Sequence, residues 1–127
     1  MLLTQNRRIQ KWLRSRQTLI VALQQLCFHR PFWKTESLML VSSVQEFCQQ
    51  LIDYTSLGHF EIYEHIQSPL LHSIFQTTLR ILDFNDRYQT SLDPIQFERD
   101  LSFIAENLAY RFEWEDDLIK EINLSAA

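Results

Sequence analysis

The chain has 127 residues, 46% of them hydrophobic and 22% charged, with sixteen acids against twelve Lys and Arg. That is the length of one domain, spanning 1–127, apolar enough to bury a core without staples and too apolar for disorder. A single Gly excludes a P-loop, a dinucleotide fingerprint and a Gly-x-Ser-x-Gly nucleophile elbow, and argues against a turn-rich β fold.

Three prolines, Pro31, Pro69 and Pro94, cut the hydrophobic pattern into four helical segments. The first, from about Thr4 to Phe28, carries Ile9, Trp12, Leu13, Leu19, Ile20, Leu23, Leu26 and Cys27 on one stripe. Its charge is one-sided. Residues 1–35 hold Arg7, Arg8, Lys11, Arg14, Arg16, Arg30 and Lys34 and no acid, whereas the remainder holds five bases and sixteen acids. The segment reads as one that docks on the chain's own acidic body. A nucleic-acid-binding module working through this basic helix is the alternative, but the acidic bulk would repel phosphate.

The second segment, about Leu38 to Gln67, places Val44, Phe47, Cys48, Leu51, Thr55, Gly58, Ile62 and Ile66 on one face. The stripe keeps phase across Gly58, so the spacing predicts a continuous helix. A small residue there allows close helix approach, and a break into two shorter helices is the other reading. Ser68-Pro69 and Asp93-Pro94 each read as an N-cap followed by a first helical residue that needs no N–H. The third segment, from Pro69 to about Leu92, has Leu71, Ile74, Phe75, Leu79, Leu82 and Tyr88 as its apolar set. The fourth, from Pro94 to about Leu124, has Phe97, Leu101, Ile104, Ala105, Leu108, Phe112, Ile119 and Ile122. Connections this short join neighbouring helices that run in opposite directions, so the expected fold is all-α, an antiparallel up-down-up-down four-helix bundle.

Two charges interrupt the stripes. Arg16 lies between Trp12-Leu13 and Leu19-Ile20, and Glu115 lies between Phe112 and Ile119. A buried polar network of Arg16, Glu115 and His59 is expected, with a structural role in fixing helix register; snorkelling of the long side chains to water is the alternative.

Catalytic and metal chemistry find no support. A di-iron bundle site needs Glu-x-x-His pairs, but the residues three before His29, His59, His65 and His72 are Leu26, Ser56, Ile62 and Pro69. Cys27 and Cys48 form no metal spacing and read as two reduced core thiols. The longest aliphatic run, Leu19 to Leu23, is far short of the roughly 20 residues of a membrane span, and no secretory signal opens the chain. The expectation is a cytoplasmic protein that is no enzyme, holds no cofactor and does not bind membrane.

The stretch Phe47-Cys48-Gln49-Gln50-Leu51-Ile52-Asp53-Tyr54-Thr55-Ser56-Leu57-Gly58-His59-Phe60-Glu61-Ile62-Tyr63-Glu64 resembles the Rsd/AlgQ family pattern F-C-x-x-L-[VI]-D-Y-x-S-x-G-H-F-x-I-Y-E. Trp12-Leu13-Arg14-Ser15-Arg16 is similar to the family's W-L-x-x-R, and Arg111-Phe112-Glu113-Trp114-Glu115-Asp116 to its R-F-x-x-E-D. The three matches fall in family order, and the chain is shorter than the family pattern chiefly between Phe60 and Arg111. The resemblance implies a bacterial anti-sigma factor. Such a protein binds the C-terminal, promoter-recognising domain of the primary sigma factor and sterically blocks its use by RNA polymerase, as a monomer that touches no nucleic acid itself. An adaptor for another regulatory protein is the second reading.

The second helix also carries a face that its own packing does not explain. With Leu51 at zero and about 100° per residue, the apolar stripe centres near 20°, and Ser56, Gln49, Phe60, Asp53 and Glu64 fall between roughly 140° and 220°. Gln49, Asp53, Ser56, Phe60 and Glu64 are therefore the expected sigma-binding residues. Phe60 would be the desolvated anchor, and Asp53 and Glu64 would match a basic helix-turn-helix.

Overall fold

The computed structural model describes residues 2–33, 35, 37–89 and 92–126, and among them there are four α-helices and no strand. Helix α1 spans Leu2–Phe28 and runs free of Gly and Pro until Pro31 enters a short 3₁₀ turn, Arg30–Phe32. Helix α2 spans Ser37–Leu57, α3 Leu70–Tyr88 and α4 Pro94–Ala126. Both expected caps form. Ser68 Oγ accepts the Leu70 N–H at 3.2 Å, and Asp93 Oδ1 accepts the Ile95 N–H at 3.1 Å, so the first free amides of α3 and α4 are satisfied.

The stripes of α1, α2 and α4 turn inward. Trp12, Leu19, Phe47, Leu51, Phe97, Leu101 and Ile104 have almost no exposed surface. An aromatic run fills the interior at one end, Trp33 on Phe97 at 5.3 Å, Phe97 on Tyr88 at 5.0 Å, Tyr88 on Phe84 at 4.8 Å and Phe84 on Phe47 at 5.9 Å. Polar rivets join the helices along their length. Arg80 Nη1 donates to Asn107 Oδ1 at 2.8 Å, and Asp100 accepts from Arg87 at 2.8 Å and from the Tyr88 hydroxyl, both pairs linking α3 to α4. The basic first segment meets acids of other elements, Arg8 with Glu61 at 3.4 Å, Arg16 with Asp116 at 2.8 Å and Arg30 with Glu98 at 3.7 Å. Lys34 lies outside the described residues. No described helix is long and apolar enough to cross a membrane.

Three expectations need correction. The second helix is not one α-helix through Gln67: it changes winding at Gly58 into a five-residue π turn, Gly58–Ile62, followed by a 3₁₀ turn, Tyr63–His65. Gly58 is buried where a Cβ would stand 3.0 Å from Trp12 Nε1 and 3.1 Å from the Tyr63 hydroxyl, so the glycine serves a close approach between segments. The face of α3 is also rotated from expectation. Its interior residues are Ile74, Thr77, Ile81, Phe84, Asn85 and Tyr88, while Phe75, Leu79 and Leu82 are exposed. The side chain of Arg111 on α4 takes Thr77 and Thr78 as partners, and that drew two polar positions inward at the expense of leucines. The third correction concerns the thiols. Cys48 is buried on the α2 stripe, whereas Cys27, at the end of α1, is exposed.

Burial pushes the Cys48 thiol up to about 11, which leaves it protonated and shielded at neutral pH. The native protein should therefore release one equivalent of fast-reacting thiol to a disulfide reagent at pH 8, from Cys27, and the second only on denaturation. Two fast equivalents in the native state would show that the α2 face opens readily.

Candidate functional site

One turn of α4 holds the two least expected residues of the interior. Arg111 and Glu115 have side chains with no exposed surface, and Arg111 Nε stands 3.4 Å from Glu115 Oε2. Unpaired, each charge would lose several kcal/mol of hydration in such a place. The surrounding helices supply the compensation. From α2 the Tyr54 hydroxyl donates to Glu115 Oε2 at 2.5 Å while accepting from Arg111 Nε at 2.9 Å. From the 3₁₀ turn the Tyr63 hydroxyl donates to the same Oε2 at 2.5 Å and accepts from Arg111 Nη2 at 3.2 Å. From α3, Arg111 Nη1 reaches Thr78 Oγ1 at 2.7 Å, Thr77 Oγ1 at 3.0 Å and the Ile74 carbonyl at 3.3 Å. From α1, Arg16 Nη1 lies 3.6 Å from the other Glu115 oxygen, its Nη2 holds Asp116 at 2.8 Å, and its guanidinium covers the Phe112 ring at 5.1 Å. The guanidinium of Arg111 is itself stacked on the Tyr54 and Tyr63 rings, at 5.2 and 5.7 Å.

The network is buried but not fully hydrogen-bonded: among the described residues Glu115 Oε1 has no hydrogen-bond partner and only the Arg16 charge at 3.6 Å. Burial raises the Glu115 carboxyl, and the Arg111 charge and the two phenol donors oppose that rise. Burial, and then the neighbouring Glu115 charge, push both phenols well above their ordinary range, so Tyr54 and Tyr63 remain neutral donors. No group here is positioned as a nucleophile or a base toward an open cavity. Among the described residues, no set of three or more His, Cys, Asp or Glu is arranged to hold a metal ion.

Of the three network residues expected from sequence, Arg16 and Glu115 meet. His59 does not join them. It stands at the start of the π turn with its side chain about half exposed, Nε2 3.4 Å from Glu64 and the ring against Phe60 at 4.8 Å and Phe75 at 6.4 Å. Arg111, Tyr54 and Tyr63 were missed. Arg111 follows Leu108 by three residues and precedes Glu115 by four, so helical spacing alone puts it on the buried stripe. Tyr54 follows Leu51 by three. Tyr63 carried no such signal, because only the change of winding turns it inward.

The outer face of α2 is open. Asp53, Ser56 and Phe60 line a groove of about 570 Å³ with Lys11, Arg14, Ser15 and Thr18 of α1 and with Leu57 and Glu61. Phe60 is 60% exposed, with the half-exposed His59 ring at 4.8 Å beside it. Gln49 Nε2 donates to Asp53 Oδ1 at 2.9 Å and so orients that carboxylate from one turn away. Glu64 lies outside this groove, paired with His59. Four of the five expected surface residues therefore gather on one strip, and the fifth sits beside it. The aromatic surface continues from Phe60 over His59 to Phe75 on α3, with Leu79 and Leu82 exposed one and two turns further on.

The interior network makes a graded prediction for stability. Arg111→Met leaves Glu115 buried without its fully buried charge partner and should cost ~3–5 kcal/mol. Arg16→Ala, whose partner Asp116 is half exposed, should cost about 1 kcal/mol. Arg14→Ala should cost about zero. Urea titration at neutral pH measures all three. Equal midpoints for Arg111→Met and Arg14→Ala would show that the network contributes nothing.

Comparison with known proteins places this arrangement in a family. The family described as "Regulator of RNA polymerase sigma(70) subunit, Rsd/AlgQ" matches residues 2–123. Relatives named Regulator of sigma D, from Salmonella arizonae, Salmonella newport and Salmonella heidelberg, are each 35% identical over 130 aligned positions, covering 90% of this chain and 80% of their own. No solved structure matches the chain. With a family match over nearly its whole length and relatives that share a third of its residues, the chain belongs to the Rsd/AlgQ family.

Proposed function

We propose that the protein is an anti-sigma regulator that binds the C-terminal, promoter-recognising domain of the primary sigma factor and sterically keeps it from RNA polymerase. The observation that carries this reading is the strip on α2, where an aromatic with 60% of its surface exposed shares a groove with Asp53 and Ser56. A largely exposed Phe whose ring meets the half-exposed His59, beside Asp53 and Glu61, suits a partner offering an apolar pocket within a basic surface. Beyond residue 35 the chain carries sixteen acids against five bases, which favours a basic protein partner over a polyanion. Relatives bearing the name Regulator of sigma D support the same choice of partner.

In this reading the protein is a single-domain monomer of the cytoplasm. Its four helices form an up-down-up-down bundle of antiparallel neighbours, a reading supported by Arg16 with Asp116 and Arg30 with Glu98, pairs whose numbers rise on the first segment as they fall on α4. It acts by occlusion, so it requires neither cofactor nor chemistry. Gln49 holds Asp53 ready, Ser56 adds a small polar contact, Phe60 is the anchor, and Glu64 extends the acidic edge. The competing reading, nucleic-acid binding through the basic first helix, is disfavoured because Arg8 and Arg16 of α1, and Arg30 just after it, are already engaged by acids of the same chain.

Calorimetry with the isolated C-terminal domain of the cognate primary sigma factor tests the proposal. Phe60→Ala and Asp53→Ala should each weaken binding by about 2 kcal/mol, roughly thirtyfold, with helicity and melting temperature kept. Normal affinity in both variants would move the interface elsewhere on the molecule, and no binding by the unaltered protein would remove sigma as the partner.

A further inference from the structure

The π turn stands between the buried network and the exposed anchor. In an α-helix Tyr63 would lie about 140° around from Gly58, on the flank of the buried stripe. In the structure the winding takes in an extra residue, and both Ile62 and Tyr63 are buried. The backbone does not hold this winding firmly. The amide of Tyr63 reaches two carbonyls at once, Gly58 in the π register and His59 in the α register. An N–H that already reaches both carbonyls passes from one register to the other with little movement, so a side chain can decide between them. That side chain is Tyr63. Its ring packs edge-on against Trp12 at 5.7 Å and Phe75 at 6.0 Å, and its hydroxyl donates to Glu115 at 2.5 Å. Gly58 permits the arrangement, since a Cβ there would press on that hydroxyl and on the Trp12 indole nitrogen. Phe60 lies within the same five residues, so its place against Asp53, Ser56 and α1 depends on which register is adopted.

We infer that Tyr63 is a positioning residue for the partner-binding face: the bond from its hydroxyl to Glu115 selects the π winding, and that winding sets where Phe60 stands. The inference rests on the proposed sigma-binding role of Phe60, but the latch itself is a property of this chain alone. Tyr63 touches no partner, being 3% exposed. Loss of its hydroxyl lets the segment relax to the α register and turns Phe60 about the helix axis, out of the place it holds in the groove.

The molecule contains its own control. Tyr54 donates to the same Glu115 oxygen at the same 2.5 Å, but from within the regular part of α2. Tyr54→Phe and Tyr63→Phe therefore remove like bonds, and a purely structural role moves both alike. Two measurements decide, affinity for the sigma C-terminal domain and hydrogen exchange of the amides from His59 to Tyr63. Tyr63→Phe should weaken binding about tenfold and speed exchange at those amides, whereas Tyr54→Phe should leave both near the unaltered values. Gly58→Ala, which displaces the same hydroxyl from the backbone side, should reproduce Tyr63→Phe and serves if that variant does not fold. Equal affinities and equal exchange in the Tyr54→Phe and Tyr63→Phe proteins would overturn the inference. If the unaltered protein binds no sigma domain, the functional reading fails by itself, and the exchange comparison still judges the latch.

Discussion

A buried carboxylate on α4 organises this molecule. Glu115 has no exposed surface, and its charge is tolerable only with Arg111 at 3.4 Å and two phenol hydroxyls on one of its oxygens. Those partners come from different parts of the chain, Tyr54 from α2 and Tyr63 from the turn that follows it. Arg111 in turn is held by Thr77 and Thr78 of α3, and Arg16 approaches from α1. Leucines and isoleucines allow neighbouring helices to slide by a turn at small cost. Directional bonds converging on one glutamate do not, because any other register leaves a desolvated charge without partners. The apolar core supplies most of the stabilisation, while the polar cluster determines which of the similar packings is adopted.

That division of labour shapes the surface as well. Because Tyr63 is claimed by the interior, the chain between Gly58 and Ile62 departs from α winding, and Phe60 emerges at the edge of the groove between α1 and α2. The groove is amphoteric, with Lys11 and Arg14 on one wall and Asp53 and Glu61 on the other, so it selects a partner by pattern more than by net charge. The acidic excess beyond residue 35 acts at longer range and suits the basic partner proposed for it. The proposed regulation by occlusion would need only these features: the packed scaffold, an exposed anchor and a complementary field.

Much of this was legible in the residues. The α2 stripe from Val44 to Ile62 is buried as spaced, and the serine and aspartate before two prolines cap the helices they precede. Glu115 announced itself as a charge among apolar neighbours, and helical spacing also carried the signal for Arg111, because the two lie one turn apart. The outcome for α3 was not readable from that helix alone. Phe75, Leu79 and Leu82 form an apolar stripe as regular as the one that is buried, and the decision rests with Arg111 on another helix, which needs threonine hydroxyls opposite it. Tyr63 and His59 exchanged the roles that α-helical arithmetic assigns them, since a single change of winding at Gly58 rotates one inward and leaves the other outside. Cys27 fits the apolar spacing of α1 but is exposed, one residue before the helix ends.

The most direct test of the account is to map the bound sigma domain on the chain, residue by residue, from amide chemical-shift changes on titration. The account predicts changes concentrated on Gln49, Asp53, Ser56 and the Gly58–Ile62 turn, with the facing part of α1 around Lys11 and Arg14. The outer face of α4, where Phe103 and Tyr110 are also exposed, should remain unmoved. Changes confined to α4, with the α2 groove silent, would contradict it.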